Sequence, residues 1–370
     1  MKKFLNKLQN TFLLIYKKYK NNKIFNLFLY FLSLLFLAGY KLRLVLYKLK
    51  ILKTYKLPAY VISIGNISSG GTGKTTLVME IAKHLIAKDY KVAILSRGYK
   101  RNIEKNDGVI LVSDGEDIIT DYDRAGDEPY LIARKVPKAL VLVYRNRVQA
   151  GMLAINRFGV NALILDDGFQ YLKLERDENI LILDSYNPFD NNQLLPLGTL
   201  RELPESMKRS TTVLLSNSDR KKLDDSELNI INKYGKNKSI LKFSYKLTEL
   251  KELNTKKTLA INNAKNLKAI ACCGIGNPES FIDLLKRNEI NIIDSLFFPD
   301  HYNYQFEDIE KMVSLAQKNN IENIIVTEKD AVKIEDLCQA LPVSFWTANI
   351  EIIWDTADPF SKLFTTTYRQ

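Results

Sequence analysis

Acidic residues are missing from the front of the 370-residue chain. Residues 1–60 carry 13 lysines and arginines and no aspartate or glutamate, and the first carboxylate is Glu80. The net charge of +12 is therefore a local property, because the rest of the chain has 41 basic and 42 acidic residues. A nearly neutral body argues against nucleic acid as a partner, and the basic front predicts a local anionic partner.

Cysteine and histidine are also scarce. The three cysteines, Cys272, Cys273 and Cys338, have neither the spacing of a disulfide framework nor that of a zinc site. We expect them to be buried free thiols in a reducing compartment. Of the two histidines, His84 lies in a predicted helix and is expected to be structural. His301 lies in a loop, where it is a candidate for proton transfer.

A hydrophobic run occupies the middle of this basic segment. Residues 24–40 contain no charged side chain over 17 positions, which is at the short limit for crossing a bilayer. If the run spanned the membrane with a cytoplasmic body, the seven lysines of residues 1–23 would lie outside, against the positive-inside rule. We therefore expect residues 1–57 to associate with anionic headgroups as interfacial helices. A single spanning helix and an internal helical hairpin are the alternatives.

A glycine-rich loop follows, with the sequence SSGGTGKTT at residues 68–76. It separates a predicted buried strand at 60–64 from a predicted helix at 75–88, which is the setting of a phosphate-binding loop. Lys74 should reach the β- and γ-phosphates and the Thr75 hydroxyl should bind Mg²⁺. Ser68 stands where the usual pattern has glycine. The residues predicted to bind ATP are Ser68, Ser69, Gly70, Gly71, Thr72, Gly73, Lys74, Thr75 and Thr76.

Carboxylates follow other predicted strands. Asp166 and Asp167 come directly after the apolar run 163–165, at the strand end where open α/β sheets bind ligands. Adjacent residues of an extended strand point in opposite directions, so one aspartate should bind Mg²⁺ directly and the other through water or a neighbour. Arg201 and Glu202 follow the predicted strand 179–184 and are candidates for a charge clamp or a metal contact.

Asp127 and Glu128 begin a predicted helix within the motif AGDEP. Acids at this position commonly cap a helix and complement its dipole. The residues alone therefore do not separate a helix cap from a catalytic base.

The alternation of strands and helices predicts an α/β protein. We expect a P-loop domain with a doubly wound, mostly parallel sheet at 58–237 and a strand-containing connector at 238–267. A second, smaller α/β lobe should follow at 268–370, and the N-terminal membrane-associated helical segment at 1–57 precedes the P-loop domain.

Nine short motifs occur in one order along the chain. They are GNISSGGTGKT (65–75), SRGYK (96–100), AGDEP (125–129), RNRV (145–148), LDDGFQ (165–170), LPLGTLRE (195–202), CGIGNP (273–278), FFPDH (297–301) and TEKD (327–330). In this combination the chain resembles the tetraacyldisaccharide 4′-kinase family, the lipid A 4′-kinases. The resemblance implies ATP-dependent phosphorylation of the 4′-hydroxyl of a tetraacylated glucosamine disaccharide 1-phosphate at the cytoplasmic face of the inner membrane. It also implies two α/β lobes with the active site in the cleft between them.

The same resemblance implies roles for individual residues. Asp127 resembles the base that accepts the sugar hydroxyl proton, with His301 tuning it from the other lobe, and Lys74 holds phosphate. The implied magnesium network is Thr75, Asp166, Asp167 and Glu202. The cationic candidates for substrate phosphate groups are Arg147 and Arg201. ATP and Mg²⁺ are the expected cofactors, and a monomer is favoured.

Three other functions stay open at this level. A membrane-attached ATPase switch of the partition type would use the same loop, although Ser69 stands where that class has a signature lysine. A phosphate-loop kinase for a soluble metabolite would leave the acid-free front unexplained. A non-enzymatic lipid-binding protein would need neither Lys74 nor the carboxylates.

Overall fold

The computed structural model describes residues 19, 22–70, 73–98, 108–339 and 341–364. Most of the basic segment before residue 22 lies outside these ranges. The strands are β1 (Tyr60–Asn66), β2 (Val92–Ser96), β3 (Ile110–Asp114), β4 (Leu140–Val143), β5 (Ala162–Leu165), β6 (Glu178–Asp184), β7 (Thr212–Ser216), β8 (Ser239–Glu252), β9 (Thr258–Ala260), β10 (Lys268–Cys273), β11 (Asn291–Phe297), β12 (Asn323–Thr327) and β13 (Ser344–Trp354). The helices are α1 (Lys23–Lys48), α2 (Lys74–Ile86), α3 (Tyr122–Ala125), α4 (Asp127–Lys135), α5 (Arg147–Phe158), α6 (Asp225–Tyr234), α7 (Pro278–Arg287), α8 (Phe306–Lys318), α9 (Glu328–Ile334) and α10 (Pro359–Leu363).

The first half of the fold is the predicted doubly wound sheet. Its strands lie in the order β8-β7-β6-β1-β5-β2-β4-β3, and every neighbouring pair is parallel except β3 with β4. Helices cover both faces, so the central strands are buried along their whole length and are apolar at nearly every position. Because the strands are parallel, the ends of β1, β2 and β5 open at one edge of the sheet.

The second half continues the same sheet. Strands β11, β10, β12 and β13 are parallel in that order, and β13 pairs antiparallel with β8. The 14-residue strand β8 is shared, because residues 239–242 pair with β7 and residues 243–252 pair with β13. The segment that the sequence predicts as a connector therefore contributes β8 and β9 to the sheet and joins its two halves by backbone hydrogen bonds.

Helix α1 contacts the body along one side only. Asn22 caps it by accepting hydrogen bonds from the N–H groups of Ile24 and Phe25. On the contacting side Leu29 is buried, and the Ser33 hydroxyl donates to the Leu194 carbonyl at 3.0 Å. The opposite side exposes the apolar residues Ile24, Leu27, Phe28, Phe31, Leu34, Leu35, Leu42, Val45 and Leu49.

The helix is long and apolar enough to cross a membrane by length and composition, and 11% of its most apolar window is buried. An internal hairpin would bury that surface against the protein. In the described residues the surface is instead left uncovered.

The local predictions around the cleft are confirmed. The strand predicted at 60–64 is β1, and the helix predicted at 75–88 is α2. The strand predicted before Asp166 is β5. The three cysteines are free and buried. His84 stacks on Phe360 with ring centroids 3.8 Å apart, in agreement with a structural role.

Candidate active site

A cavity of about 870 Å³ opens at the carboxyl ends of the parallel strands, between the two halves of the sheet. The first half contributes the glycine-rich loop and the ends of β2 and β5. The second half contributes His301, Thr327, Glu328 and Lys329. The predicted site residues that line this cavity are Ser69, Gly70, Gly73, Lys74, Thr75, Thr76, Arg147, Asp166, Asp167, Arg201 and His301.

The glycine-rich loop leads into the N-terminus of α2. Gly73 is the N-cap in a left-handed conformation, with φ of +72°, and no side chain caps the helix among the described residues. A Cβ at Gly73 would lie 1.6 Å from the Tyr245 hydroxyl, so the position requires glycine. Ser69 donates its backbone N–H to the Thr199 carbonyl at 2.7 Å, which ties this loop to the segment before Arg201. Ser68 forms a bridge with Leu200 in the same segment.

Two further members of the predicted ATP-binding set, Gly71 and Thr72, lie outside the described residues. The described part of the loop provides a helix N-terminus and a lysine side chain facing the cavity. Both features attract anions, because the N–H groups and the dipole of a helix N-terminus favour negative charge. The loop therefore fits a polyphosphate.

Asp166 and Asp167 occupy different environments, as the sequence predicts for adjacent acids. Burial, the charge of Glu128 and the charge of Asp167 raise the pKa of Asp166 to about 7. Asp167 has φ of +50° and turns toward the cations, with Lys74 Nζ at 3.7 Å and Arg201 Nη1 at 2.9 Å. Burial opposes ionisation of Asp167, but Lys74 and Arg201 outweigh burial and lower its pKa.

This arrangement fits Mg²⁺ bound together with a nucleotide. The charges of Lys74 and Arg147 do not offset burial and the neighbouring carboxylates at Asp166, and a divalent cation would supply further positive charge. Among the described residues, no group of three or more histidine, cysteine, aspartate or glutamate side chains is gathered to hold a metal ion. Because Mg²⁺ commonly keeps water and takes phosphate oxygens with only one or two carboxylates, the Asp166 and Thr75 side chains suffice as protein ligands.

Asp127 and His301 meet across the cleft. His301 Nδ1 lies 2.8 Å from Asp127 Oδ2 and 3.0 Å from Oδ1, and both side chains are largely buried. Burial opposes ionisation of Asp127, yet the His301 hydrogen bond and the charges of Lys329 and Lys333 hold the pKa of its carboxyl well below the usual range. Asp127 also begins α4 without acting as a side-chain cap, since the N-cap is Gly126.

Two lysines of α9 complete this cluster, and neither is among the site residues predicted from the sequence. Lys329 Nζ lies 3.7 Å from Asp127 Oδ2, and Lys333 Nζ lies 3.3 Å from the same oxygen. Both lie on α9, which begins inside the TEKD motif, and they are one turn apart, so their side chains share a face. The TEKD motif was the sequence signal that could have identified Lys329. Asp127 and Lys329 are 202 positions apart, which puts the contact itself beyond any local pattern.

Helix α9 is held in place through Asp330. Its Oδ2 accepts hydrogen bonds from the Gly274 N–H at 3.0 Å and the Thr327 hydroxyl at 2.7 Å, and its Oδ1 accepts from the Tyr304 hydroxyl at 3.0 Å. Buried carboxylates satisfied in this way are rigid. The CGIGNP and TEKD motifs therefore act together to fix the helix that carries the two lysines.

Helices α4 and α9 are joined by further ion pairs. Arg134 pairs with Glu335, and Lys135 pairs with Glu328. The acidic side chains in the first turn of α4 thus pair with basic side chains of the second half. The basic side chains in its last turn pair with acidic ones. The two halves have complementary charges where they border the cavity.

The two predicted phosphate-binding arginines have protein partners. Arg147 is 4% exposed, donates to the Asp166 carbonyl at 3.0 Å and lies over the Tyr171 ring. Burial lowers its pKa, and the nearby aspartates counter that effect. Arg201 pairs with Asp167. Both side chains thus contact the turn formed by Asp166 and Asp167, and both line the cavity.

Glu202, the third carboxylate of the predicted magnesium network, is not gathered with the two aspartates. It is buried and paired with Arg209, and the Tyr40 hydroxyl of α1 lies 3.5 Å from its Oε2. Arg201 lines the cavity and pairs with Asp167, whereas Glu202 faces Arg209 and the Tyr40 hydroxyl of α1. The structure thus places Glu202 between α1 and the body of the protein.

Comparison with known proteins gives one consistent result. The family model described as tetraacyldisaccharide-1-P 4′-kinase matches residues 25–368. Proteins named tetraacyldisaccharide 4′-kinase from Halothermothrix orenii and Pelobacter propionicus are 38% and 35% identical to this chain, over 79% and 88% of it and 78% and 88% of their own lengths. Among solved structures, LpxK from Aquifex aeolicus in complex with ATP is 31% identical, with a TM-score of 0.70, and the match covers 88% of this chain and 93% of that one.

Proposed function

The chain belongs to the tetraacyldisaccharide-1-P 4′-kinase family, and we propose that the cleft between the two halves of its sheet is where ATP phosphorylates the lipid acceptor. The activity is ATP-dependent phosphorylation at the 4′-position of the lipid A precursor, an acylated disaccharide 1-phosphate. The observation that carries the site assignment is the pairing of Asp127 with His301, because His301 lines the same cavity as Lys74.

In this proposal the glycine-rich loop holds the phosphates of ATP. The N–H groups at the start of α2 face the phosphate oxygens, and the Lys74 ammonium reaches the β- and γ-phosphates. Ser69 keeps the loop against the segment before Arg201 through its bonds to the Thr199 carbonyl. Phosphoryl transfer depends on positioning and charge neutralisation, so this grip carries most of the catalysis.

Thr75 and Asp166 are the residues we propose to bind Mg²⁺ directly. Asp167 then acts next to the metal, because its carboxylate is already shared between Lys74 and Arg201. When bound, Mg²⁺ neutralises charge on the phosphates. Thr75, Asp166 and Asp167 stay in the predicted network, whereas Glu202 supports α1.

Asp127 is the proposed base. It accepts the proton when the 4′-hydroxyl O–H bond breaks, the hydroxyl oxygen bonds to the γ-phosphorus, and the bond from that phosphorus to the bridging oxygen breaks with its electrons left on ADP. His301 orients the carboxylate and stabilises its charge through Nδ1. A carboxylate with a lowered pKa is a weak base, so it accepts the proton late, as the new oxygen–phosphorus bond forms.

The exposed face of α1 is the proposed membrane contact. Its apolar side chains point away from the body, and Arg43 on the same helix lines the cavity. We propose that the protein is a monomer attached to the cytoplasmic face of the inner membrane, with anionic headgroups at the basic flanks. The proposal also divides the chain at residues 57, 237 and 267. The resulting units are the membrane-associating segment with α1, the P-loop domain, the connector and the second lobe.

Transfer of labelled phosphate tests the function. Purified protein is incubated with γ-labelled ATP, Mg²⁺ and the acylated disaccharide 1-phosphate in detergent. Label in the lipid is the expected result. Label found only in free phosphate would contradict the kinase and favour an ATPase switch.

A further inference from the structure

Lys329 belongs to the TEKD motif, and its ammonium group contacts several charged side chains of the cleft. Its Nζ lies 3.2 Å from Glu128 Oε1, 3.2 Å from Asp300 Oδ1, 3.3 Å from His301 Nε2 and 3.7 Å from Asp127 Oδ2. The side chain is 17% exposed and lines the cavity. Burial opposes its charge, but the three carboxylates outweigh burial and raise its pKa above the usual range, so the group is an ammonium ion.

The contact with His301 has a chemical consequence. An ammonium group has hydrogen-bond donors and no acceptor, so Nε2 of the imidazole must accept. A neutral imidazole that accepts at Nε2 carries its hydrogen on Nδ1. Nδ1 then donates to Asp127, in agreement with its 2.8 Å distance from Oδ2. One lysine therefore determines which nitrogen of His301 carries the hydrogen.

A competing contact makes the lysine necessary. Asp300 Oδ2 lies 3.6 Å from the same Nε2 and is an acceptor. Without the ammonium ion, Asp300 would attract a hydrogen onto Nε2. The imidazole would then become the other tautomer or a cation that is shared between two carboxylates.

We propose that Lys329 is the positioning residue of the proton-accepting pair: by donating to His301 Nε2 it fixes the Nδ1–H tautomer, which in turn orients the Asp127 carboxylate toward the acceptor hydroxyl. This role rests on the proposed function of Asp127 as the base. Lys333 has a different role, because it is 1% exposed and pairs with both Asp127 and Asp330, and so contacts the Asp127 carboxylate from its buried side.

Charged and titratable groups from both halves of the sheet surround this pair. On the first half they are Tyr122, Asp127 and Glu128, and on the second half they are Asp300, His301, Lys329, Asp330 and Lys333. Of the lysines in the part of the chain that the structure describes, Lys329 alone contacts the imidazole. Lys135 is a matched control, since it joins α4 to α9 through Glu328 and contacts neither Asp127 nor His301 in the described structure.

The direct test is ¹⁵N NMR of the histidine side chains at neutral pH. The chain has only two histidines, and the His301→Gln variant assigns their signals. In the wild-type protein His301 should show a protonated Nδ1 and an unprotonated Nε2. In Lys329→Met the pattern should change to a protonated Nε2, whereas Lys135→Met should keep the wild-type pattern. An unchanged His301 pattern in Lys329→Met would overturn the proposal, whatever the activity of the variant.

Kinetics give a second, independent readout. We expect Lys329→Met to lower kcat roughly 10–100-fold, as partners that orient a functional histidine do, with little change in KM for ATP. Lys329→Arg should recover part of the loss, and Lys135→Met should lie near wild type. In an Asp127→Asn background the Lys329→Met change should cost about twofold or less, because Lys329 acts through Asp127.

An equal loss in Lys329→Met and Lys135→Met would show that Lys329 only holds the two helices together. An undiminished effect of Lys329→Met in the Asp127→Asn background would also reject positioning through Asp127. If instead the NMR pattern changes as expected while Asp127→Asn is fully active, the tautomer assignment stands and the proposed base is wrong. The two failures are therefore distinguishable.

Discussion

His301 Nδ1 lies 2.8 Å from Asp127 Oδ2, although 174 residues separate them along the chain. Asp127 begins α4 in the first half of the sheet, and His301 follows β11 in the second half. The pair therefore exists only where both halves are correctly placed. Strand β8, which hydrogen-bonds to β7 and to β13, provides the rigid connection that places them.

The grip on ATP should depend on Lys74. We expect Lys74→Ala to lower kcat by about 10²–10³-fold or more, because its ammonium group stabilises charge on the transferring phosphate. Lys83→Ala is the matched control, since Lys83 lies on the exposed side of the same helix. Steady-state transfer of label to the lipid measures both. Similar activity of the two variants would reject the role of Lys74.

The exposed side of α1 should bind membrane without contributing to folding. Phe31 is 57% exposed, whereas Leu29 on the contacting side is 0% exposed. Phe31→Asp should therefore weaken co-sedimentation with anionic vesicles and leave the melting temperature unchanged. Leu29→Ala should destabilise the protein by about 2–5 kcal/mol, because it leaves a cavity between α1 and the body. A Phe31→Asp protein that binds vesicles as well as wild type would contradict the proposed contact.

Glu202 and the aspartates should differ in their response to Mg²⁺. Asp166→Asn should raise the Mg²⁺ concentration needed for half-maximal activity, because it removes a proposed ligand. Glu202→Gln should leave that concentration unchanged and should lower the melting temperature, since Glu202 pairs with Arg209. The double variant of Glu202 and Arg209 should lose less stability than the two single losses combined. An increased Mg²⁺ requirement in Glu202→Gln would show instead that Glu202 belongs to the magnesium network.

The charge of Asp127 should appear in the pH dependence of stability. Its pKa is lower in the folded protein than in the unfolded chain, where an aspartate has a value of about 3.9. The stabilisation from its charge is therefore fully present above pH 4 and is lost as the pH falls toward the folded value. Denaturant titrations from pH 3 to 8 should show the stability difference between wild type and Asp127→Asn constant above pH 5 and smaller below pH 4. A difference that grows at acidic pH would contradict the lowered pKa.

Local patterns predicted the P-loop half of the site well. The alternation of apolar strand, loop and helix fixed where Lys74 and Thr75 lie, and the end of β5 fixed where Asp166 and Asp167 lie. These features depend on neighbouring residues, so a sequence reveals them. Gly73 shows where prediction from neighbouring residues ends. Glycine is required there because of the Tyr245 side chain, which comes from the distant strand β8.

Contacts between the two halves of the sheet could not be predicted from local sequence patterns. The residues of AGDEP by themselves are equally compatible with a helix cap, and only the resemblance to a kinase family indicated a base at Asp127. The TEKD motif marked the segment of Lys329, but no pattern gave Lys329 or Lys333 a role, since each contacts Asp127 from about 200 residues away. The family resemblance implied Glu202 as a magnesium residue, whereas in the structure Arg201 pairs with Asp167 and Glu202 pairs with Arg209.

The central claim is that Asp127 accepts the acceptor's proton in a cleft built from both halves of the sheet. Single-turnover transfer of label from γ-labelled ATP to the acylated disaccharide, by wild type and Asp127→Asn with saturating ATP and Mg²⁺, tests it most directly. The variant should bind ATP as wild type does and transfer label about 10²–10⁴-fold more slowly. Transfer by Asp127→Asn at the wild-type rate would contradict the account.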